Sequence, residues 1–310
     1  MQSLWMLFAT FVFAIMGVCV KLASAYYPTA EIVLYRGLVG AIFIAALIVV
    51  RGGTLKTTLP WHHLGRGVIG VTALWLWFFS IGALPLPTAM TLNYMSPIWM
   101  AAILFVVGWQ RGRNRFDWSL AAAIAASFGG VILLLRPSMQ ADQWFGGIIA
   151  LISGIIAALA YLQVRQLGKL GEPEYRVVFY FSLTGALGGL CGLMISHRSA
   201  AAIWHVHKPA GIALLLAVGI CATIAQMAMT RAYRLGNTLV TANLQYTGIV
   251  FSSIWSVLIW NDVLGWQSWA GIAVILGSGI LTTFYNSRHT RATAALKAAE
   301  PDADPIAAEI

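Results

Sequence analysis

The sequence predicts an all-α integral membrane protein, with ten transmembrane helices arranged as two inverted five-helix repeats. Its composition, the length of its apolar segments and an internal repeat all favour this fold. Hydrophobic residues make up 60% of the 310 residues and charged residues only 9%, whereas soluble domains carry about 25% charged residues. The net charge of +9 comes from Lys and Arg residues that stand mostly singly between apolar blocks. It therefore indicates orientation in a membrane, and we expect no nucleic-acid partner.

Ten apolar segments follow one another along the chain with short connections. A helix needs about 20 mostly apolar residues to cross a bilayer, and most of the segments reach that length. They predict helices and not the shorter strands of a membrane barrel. The segments are 4–23, 32–50, 64–82, 88–108, 118–135, 146–165, 175–195, 210–229, 239–260 and 266–285.

The two halves of the chain resemble each other. Residues 83–134 can be laid over residues 232–283 without a gap, and segment lengths and turn positions then coincide. Because each half holds five segments, the second half enters the membrane upside down relative to the first. Inverted repeats of this kind are typical of secondary transporters, with the substrate site near the midplane. We expect a first repeat at 1–138, a second at 143–287 and, from its Ala, Asp, Glu and Pro content, a disordered cytoplasmic tail at 288–310.

Positive charges in alternate loops predict the orientation. About fourteen of the 19 Lys and Arg residues, Arg66 among them, fall on one side of the predicted topology, and four fall on the other. The side richer in Lys and Arg is the cytoplasmic one. We therefore expect a multi-pass protein of the cell membrane, most simply a bacterial inner membrane, with both termini in the cytoplasm.

The fourth and ninth segments carry unusual polar groups for apolar stretches. Asn93, Tyr94 and Pro97 interrupt the fourth, and Gln245 and Tyr246 interrupt the ninth. Polar groups and proline at membrane depth are tolerated where they face protein or a water-filled cavity. These segments are predicted to form the paired walls of a central cavity. Pro97 frees a backbone carbonyl and kinks its helix, as a hinge for transport or as a static bend.

Other polar and aromatic residues inside the segments extend the predicted site. Amide side chains could bind a polar solute, or they could join helices by hydrogen bonds worth roughly 0.6 kcal/mol each. Arg36 could clamp a carboxylate or phosphate, or it could pair with Glu31 or reach the outer surface. Aromatic rings could stack on a planar solute or simply pack. The candidate substrate-binding residues are Arg36, Trp75, Asn93, Tyr94, Tyr161, Gln226, Gln245 and Tyr246.

Acidic residues are informative by their positions. None of the ten Asp and Glu residues lies at the centre of an apolar segment. A proton relay through a buried carboxylate is therefore not expected, and a cationic solute would lack its natural counter-ion. This favours a zwitterionic, anionic or neutral polar solute.

Three local motifs resemble a known family. They are Tyr35-Arg36-Gly37 in the second segment, the linker GALPLP at 82–87 and the sequence NYMSP at 93–97. With the 5+5 organisation, they resemble the EamA-type branch of the drug/metabolite transporter superfamily over residues 3–286. The Gly-Glu pair that many members carry after the fourth helix is replaced here by QRG at 110–112. The resemblance implies a carrier that works by alternating access without ATP hydrolysis or cofactors, on solutes such as amino acid derivatives, vitamins or metallophores.

Two other classes compete with a carrier. A membrane-embedded transferase needs a His, Asp or Glu constellation for acid–base chemistry, but the six histidines are assigned to loops and the tail, and the acids are scattered. We therefore predict no enzyme activity and no metal site. A channel or scaffold is disfavoured by the inverted repeat. The expected partners are a small-molecule substrate, the lipid bilayer and, if the glycine-rich seventh segment packs between chains, a second copy of the protein.

Overall fold

The computed structural model describes residues 2–84, 86–110, 118–135, 143–196, 208–261 and 263–299, in which the regular elements are all helical. The predicted boundary between the repeats, at 139–142, and the last part of the predicted tail lie outside these ranges. After a short 3₁₀ turn at Gln2–Leu4, the helices are α1 (Trp5–Ala23), α2 (Thr29–Arg51), α3 (Pro60–Ala83), α4 (Leu86–Asn93), α5 (Ser96–Gln110), α6 (Trp118–Leu135), α7 (Trp144–Lys169), α8 (Glu174–Ser196), α9 (Pro209–Leu235), α10 (Thr238–Leu244), α11 (Thr247–Trp260) and α12 (Trp266–Ala299).

Local sequence signals place several helix ends. Pro60 and Pro209 stand in the first turns of α3 and α9, where the missing amide hydrogen costs no helical hydrogen bond. Gly52 ends α2 in the left-handed region, at φ 72°, which glycine adopts without a steric penalty. The carboxamide of Asn237 accepts hydrogen bonds from the amides of Leu239 and Val240 and so caps α10.

Within the described residues, eight helical stretches are long and apolar enough to cross a membrane. They establish an all-α membrane protein, as the composition predicts. Of the ten predicted segments, the third, which forms α3, and the ninth are not among the eight. The ninth is divided between α10 and α11, which have 7 and 14 residues, and each alone is too short for a crossing.

The fourth and ninth segments are each broken into two helices. The first break, at 94–95, comes just before Pro97 in the first turn of α5. This matches the predicted kink, because proline has no amide hydrogen to continue the hydrogen bonds of the preceding helix but fits well in the first turn of a new one. The second break, at 245–246, contains no proline. In the gapless overlay of the halves Tyr94 lies opposite Asn243, so the two breaks fall within two residues of equivalent positions.

The main helix pairs join the first half of the chain to the second. α1 packs along α9, α2 along α8, α3 along α7, and α6 along α12. Close backbone approach supports the α2–α8 pair: a Cβ on Gly37 would overlap the backbone of Ala186, and one on Gly189 would overlap that of Leu34. Three of the four glycines in the seventh segment, namely Gly188, Gly189 and Gly192, therefore serve packing within the chain.

One end of the bundle collects the connections that the charge count assigns to a single side. The loop before α3 reaches the α7–α8 loop through Thr57 and Glu172, and Arg234 near the end of α9 pairs with Glu174 at 3.1 Å. At the C-terminus α12 continues to Ala299, through part of the segment predicted to be disordered. The Ala, Lys and Arg residues there are good helix formers. The prediction of a disordered tail rested on Asp, Glu and Pro content and did not take these residues into account.

Candidate functional site

Two tyrosines and a glutamine meet beside the second helix break. The Tyr161 ring of α7 stacks on the Tyr233 ring of α9, with centroids 5.7 Å apart and planes inclined by 13°. The Tyr233 hydroxyl donates to Gln245 Oε1 at 3.2 Å, and Gln245 lies close enough to Tyr161 to affect its hydroxyl. Tyr94, at the first break, lies close enough to Tyr161 to interact with it electrostatically. The structure thus brings together three predicted residues, Tyr94, Tyr161 and Gln245.

A second group of predicted residues lies between α2, α8 and α9. Arg36 and Gln226 line a small, partly open cavity together with Phe181, Thr223 and Gly185. Gln226 is 4% exposed and its Nε2 has no hydrogen-bond partner. The cavity has about 10 Å³ for the centre of a water-sized sphere, which is room for about one water molecule. The site is therefore closed to any larger solute in this conformation.

Arg66 belongs to this interior and was missed from the sequence. It lies in the second turn of α3 and is only 3% exposed, and its Cζ stands 4.2 Å from the Phe181 ring centroid, whereas Cζ of Arg36 stands 5.6 Å from the same centroid. The predicted segment 64–82 already contained Arg66 near its start, but the residue was counted as a loop charge, and this was wrong because α3 begins at Pro60 and Arg66 is buried. The signal that could have found it is Pro60, a typical first helical residue, which would have placed Arg66 inside the helix.

The two arginines have no acidic partner within the described part of the chain. No ion pair with a carboxylate involves either side chain, and the charged or ionisable neighbours that affect Arg66 are Tyr161 and Arg36. Arg36 Nε, Arg66 Nε and Arg66 Nη1 are buried without a hydrogen-bond acceptor. The predicted alternative of an Arg36–Glu31 pair does not occur.

Three predicted residues lie in packing positions. Asn93 Nδ2 donates to Ser153 Oγ at 2.9 Å and joins α4 to α7. Trp75 packs against the glycine face of α8, where a Cβ on Gly192 would overlap its ring. Tyr246 is fully buried, its ring centroid 6.4 Å from that of Phe128, and its hydroxyl has no partner. None of these contacts reaches the arginines or Gln226.

Threonine hydroxyls inside the helices bond mainly to backbone. Thr223 and Thr230 each donate to the carbonyl four residues earlier, and Thr241 donates to the Ala232 carbonyl. The Thr10 and Thr247 hydroxyls contact each other at 2.9 Å across α1 and α11. The bonds of Thr10, Thr241 and Thr247 join helices, in keeping with the packing interpretation of such residues, whereas those of Thr223 and Thr230 stay within one helix.

Glu172 is the centre of a hydrogen-bonded cluster at the loop end of the bundle. Glu172, 3% exposed, accepts hydrogen bonds from Thr57 and from Arg176 at 3.2 Å. Its Oε2 lies 3.6 Å from Nε2 of His63, a residue predicted to be in a loop but held in α3. Burial by itself raises the pKa of the Glu172 carboxyl, but these hydrogen bonds and positive neighbours outweigh it and lower the pKa below its usual value. No described group of His, Cys, Asp and Glu residues is arranged to hold a metal ion.

Comparison with known proteins identifies the kind of protein that this architecture serves. The EamA-like transporter family matches residues 1–136 and again residues 144–284. The chain is 30% identical over 255 residues to the pseudopaline exporter CntI of Pseudomonas aeruginosa, covering 82% of this chain and 86% of that protein. It is 25% identical to a riboflavin transporter of Rhizobium johnstonii, over 93% of each chain, and 21% identical to an S-adenosylmethionine uptake transporter of Rickettsia bellii, over 79% and 80%.

A solved crystal structure shares the fold. It superposes with a TM-score of 0.76 over 91% of this chain and 98% of the other, at 19% identity. The family match covers nearly all of the described helices and occurs once in each half. The relatives are named as transporters of small molecules and not as enzymes. The chain is therefore a multi-pass membrane transporter of small molecules that belongs to the EamA-like transporter family.

Proposed function

We propose that this protein is a secondary carrier that binds one organic solute at the centre of the bundle and exposes it to each side in turn. The observation that carries the proposal is the pair of broken helices. The breaks at 94–95 and 245–246 fall at nearly equivalent positions of the two halves, and Tyr94 and Gln245 at these breaks both approach Tyr161. Discontinuous helices at matching positions mark the substrate sites of many transporters.

The proposed architecture is ten crossings in two inverted repeats, residues 1–138 and 143–287. The helix pairing supports it. A two-fold axis in the membrane plane would exchange the α1–α9 pair with the α3–α7 pair and would map α2 onto α8 and α6 onto α12, and these four are the main pairs observed. The distribution of Lys and Arg supports cytoplasmic termini, and the bacterial relatives support an inner-membrane location.

Movement of one half against the other is needed, because the cavity beside Arg36 and Gln226 has room for about one water molecule. We propose that Pro97, in the first turn of α5, acts as a hinge for opening. The solute is proposed to be small, organic and anionic, zwitterionic or neutral, because Arg36 and Arg66 offer two cations and unpaired donors with no carboxylate against them among the described residues. A carrier of this kind needs no nucleic-acid partner. It also needs no second copy of the protein, because the helix-packing glycines are used within the chain.

The proposal is tested in liposomes that contain the purified protein and a metabolite extract of the source cells on one side. Mass spectrometry then measures which solutes cross the membrane, with the extract inside in one set and outside in another. Tyr161→Phe and Gln245→Ala remove hydrogen-bonding groups at the second break and should lower transport about tenfold. The control is Ser253→Ala, whose hydroxyl only bonds the Ile249 carbonyl of its own helix. Wild-type rates in both site variants would place the site elsewhere, and no solute movement by the wild type would reject a carrier.

A further inference from the structure

The interior of the bundle holds two guanidinium groups on one aromatic ring. Arg36 comes from α2 and Arg66 from α3, and Phe181, on which both lie, comes from α8. The two charges are close enough to affect each other. The ring does not hold them together, since each cation is attracted to the ring while the cations repel one another. Another group must therefore offset the repulsion between the two cations.

The described part of the protein does not provide a group that offsets this repulsion. Neither arginine has a carboxylate partner, and three of their nitrogen atoms are buried without an acceptor. A buried charge left unpaired is strongly destabilising, and a cation–π contact recovers only a small part of that cost. Two arginines at the loop end of the bundle, Arg176 and Arg234, each meet a glutamate instead. A purely structural role does not account for this arrangement.

The surroundings of the two arginines suit an acceptor-rich ligand. Gln226 adds a further unpaired donor, Nε2, to the cavity that Arg36 lines. Gly185 lines the same cavity, and a Cβ built on it would meet nothing within 4 Å. Gly70 leaves room for the guanidinium of Arg66, because a Cβ there would overlap Arg66 Nη1. The wall of the cavity therefore presents donors and positive charge, with space kept free by glycine.

On the basis of the proposed carrier function, we propose that the transported solute carries at least two carboxylates, which Arg36 and Arg66 bind together. Guanidinium groups bind carboxylates through two parallel hydrogen bonds, so two arginines match two carboxylates in both charge and geometry. Gln226 donates to one of these carboxylates. The tyrosines Tyr161 and Tyr233, which stack nearby in α7 and α9, then face the remainder of the solute.

The test uses full-length protein in liposomes, with a cell metabolite extract supplemented with succinate, glutarate and their half-amides. Mass spectrometry scores each transported solute by its number of carboxylates. The variants are Arg36→Gln, Arg66→Gln and, as a charge-conserving comparison, Arg66→Lys, each first shown to be monodisperse in detergent. We expect the wild type to move solutes with two or more carboxylates, and each glutamine variant to lower their transport at least about tenfold.

A change of selectivity separates binding from a structural role. In Arg66→Gln the ratio of half-amide or monocarboxylate transport to dicarboxylate transport should rise, while a folding defect would lower both equally and overturn the proposal. Arg66→Lys should lie between the two, because lysine keeps the charge but loses the fork of donors. If the wild type moves only solutes with fewer than two carboxylates, the carrier function stands and the dicarboxylate site is rejected. If the wild type moves nothing, the carrier function itself fails.

Discussion

The arginines at the loop end and those in the interior of the bundle are held in opposite ways. Arg176 and Arg234 contact Glu172 and Glu174, at 3.2 and 3.1 Å, and these pairs link loops and helices. Arg36 and Arg66 are enclosed by α2, α3 and α8, without a carboxylate in the described residues. Charges that hold the protein together are paired by the protein. The interior charges that the protein leaves unpaired are the ones that we propose to bind an ion from outside.

The largest expected effect comes from giving the interior its own counter-ion. Gln226→Glu places a carboxylate of nearly the same shape in the cavity lined by Arg36. The protein should become more stable to heat, because a buried charge is compensated. Transport of an anionic solute should fall about a hundredfold, because the new carboxylate repels the solute and like charges brought together cost several kcal/mol. Thermal unfolding in detergent and vesicle transport measure the two effects.

Gln166→Glu, an identical change at an exposed site on α7, is the matched control and should alter neither property. Transport of anions by Gln226→Glu at the wild-type rate would contradict the idea that the interior arginines lack a counter-ion. Unfolding of this variant at a lower temperature than the wild type would contradict it as well.

A smaller effect is expected from displacing one interior arginine without removing it. A Cβ in Gly70→Ala would overlap Arg66 Nη1 and would also crowd the Phe181 ring at 2.9 Å, so it would push the guanidinium away from its place on that ring. Transport should fall about tenfold, since small misplacements of a binding group are costly, while the amount of folded protein stays near normal. Gly129→Ala serves as control, because a Cβ at that position meets nothing within 4 Å. Equal transport in the two variants would mean that the position of Arg66 is unimportant.

The smallest effect is expected at the loop end and concerns stability. Glu172→Gln removes a charge that accepts hydrogen bonds from Thr57 and Arg176, which should cost about 1–2 kcal/mol at neutral pH. The pKa of Glu172 is lower in the folded protein than its usual value, so the stabilisation is present above the unfolded pKa of about 4.3 and is lost as the pH falls through the folded pKa. The melting curves of wild type and variant should therefore converge as the pH falls through the lowered pKa of Glu172.

Solute selectivity in Glu172→Gln should match the wild type, because the cluster lies at the bundle end and not in the cavity. A variant that melts with the same pH dependence as the wild type would show that the Glu172 cluster contributes no charge-dependent stability.

Much of this architecture was predictable from local sequence. Apolar length predicts the membrane class, and Pro97 predicts the break before α5. Helical position and polarity predict that Tyr161 and Gln245 lie inside the bundle, where the structure brings them together. These features depend on residues near each other in the chain, and helix length and backbone chemistry act locally.

The features that escaped prediction depend on distant residues. Arg66 looks like a loop charge until Phe181 of α8 is placed beside it, and His63 looks exposed until Glu172 covers it. Asn93 donates a hydrogen bond to Ser153 of α7, a partner that its own segment does not reveal. In each case the partner comes from the other half of the chain, and no pattern within one segment reveals it.

The cross-half pairing of helices also governs how the chain can be made. Since α1, α2, α3 and α6 find their main partners in α9, α8, α7 and α12, the first half emerges from the ribosome with its packing faces uncovered. α3 is covered first, by α7, then α2 and α1, whereas α6 waits for the last helix. Assembly in the membrane therefore proceeds from the middle of the sequence outward, and a chain that stops before α12 leaves the face of α6 open to lipid or to quality-control proteases.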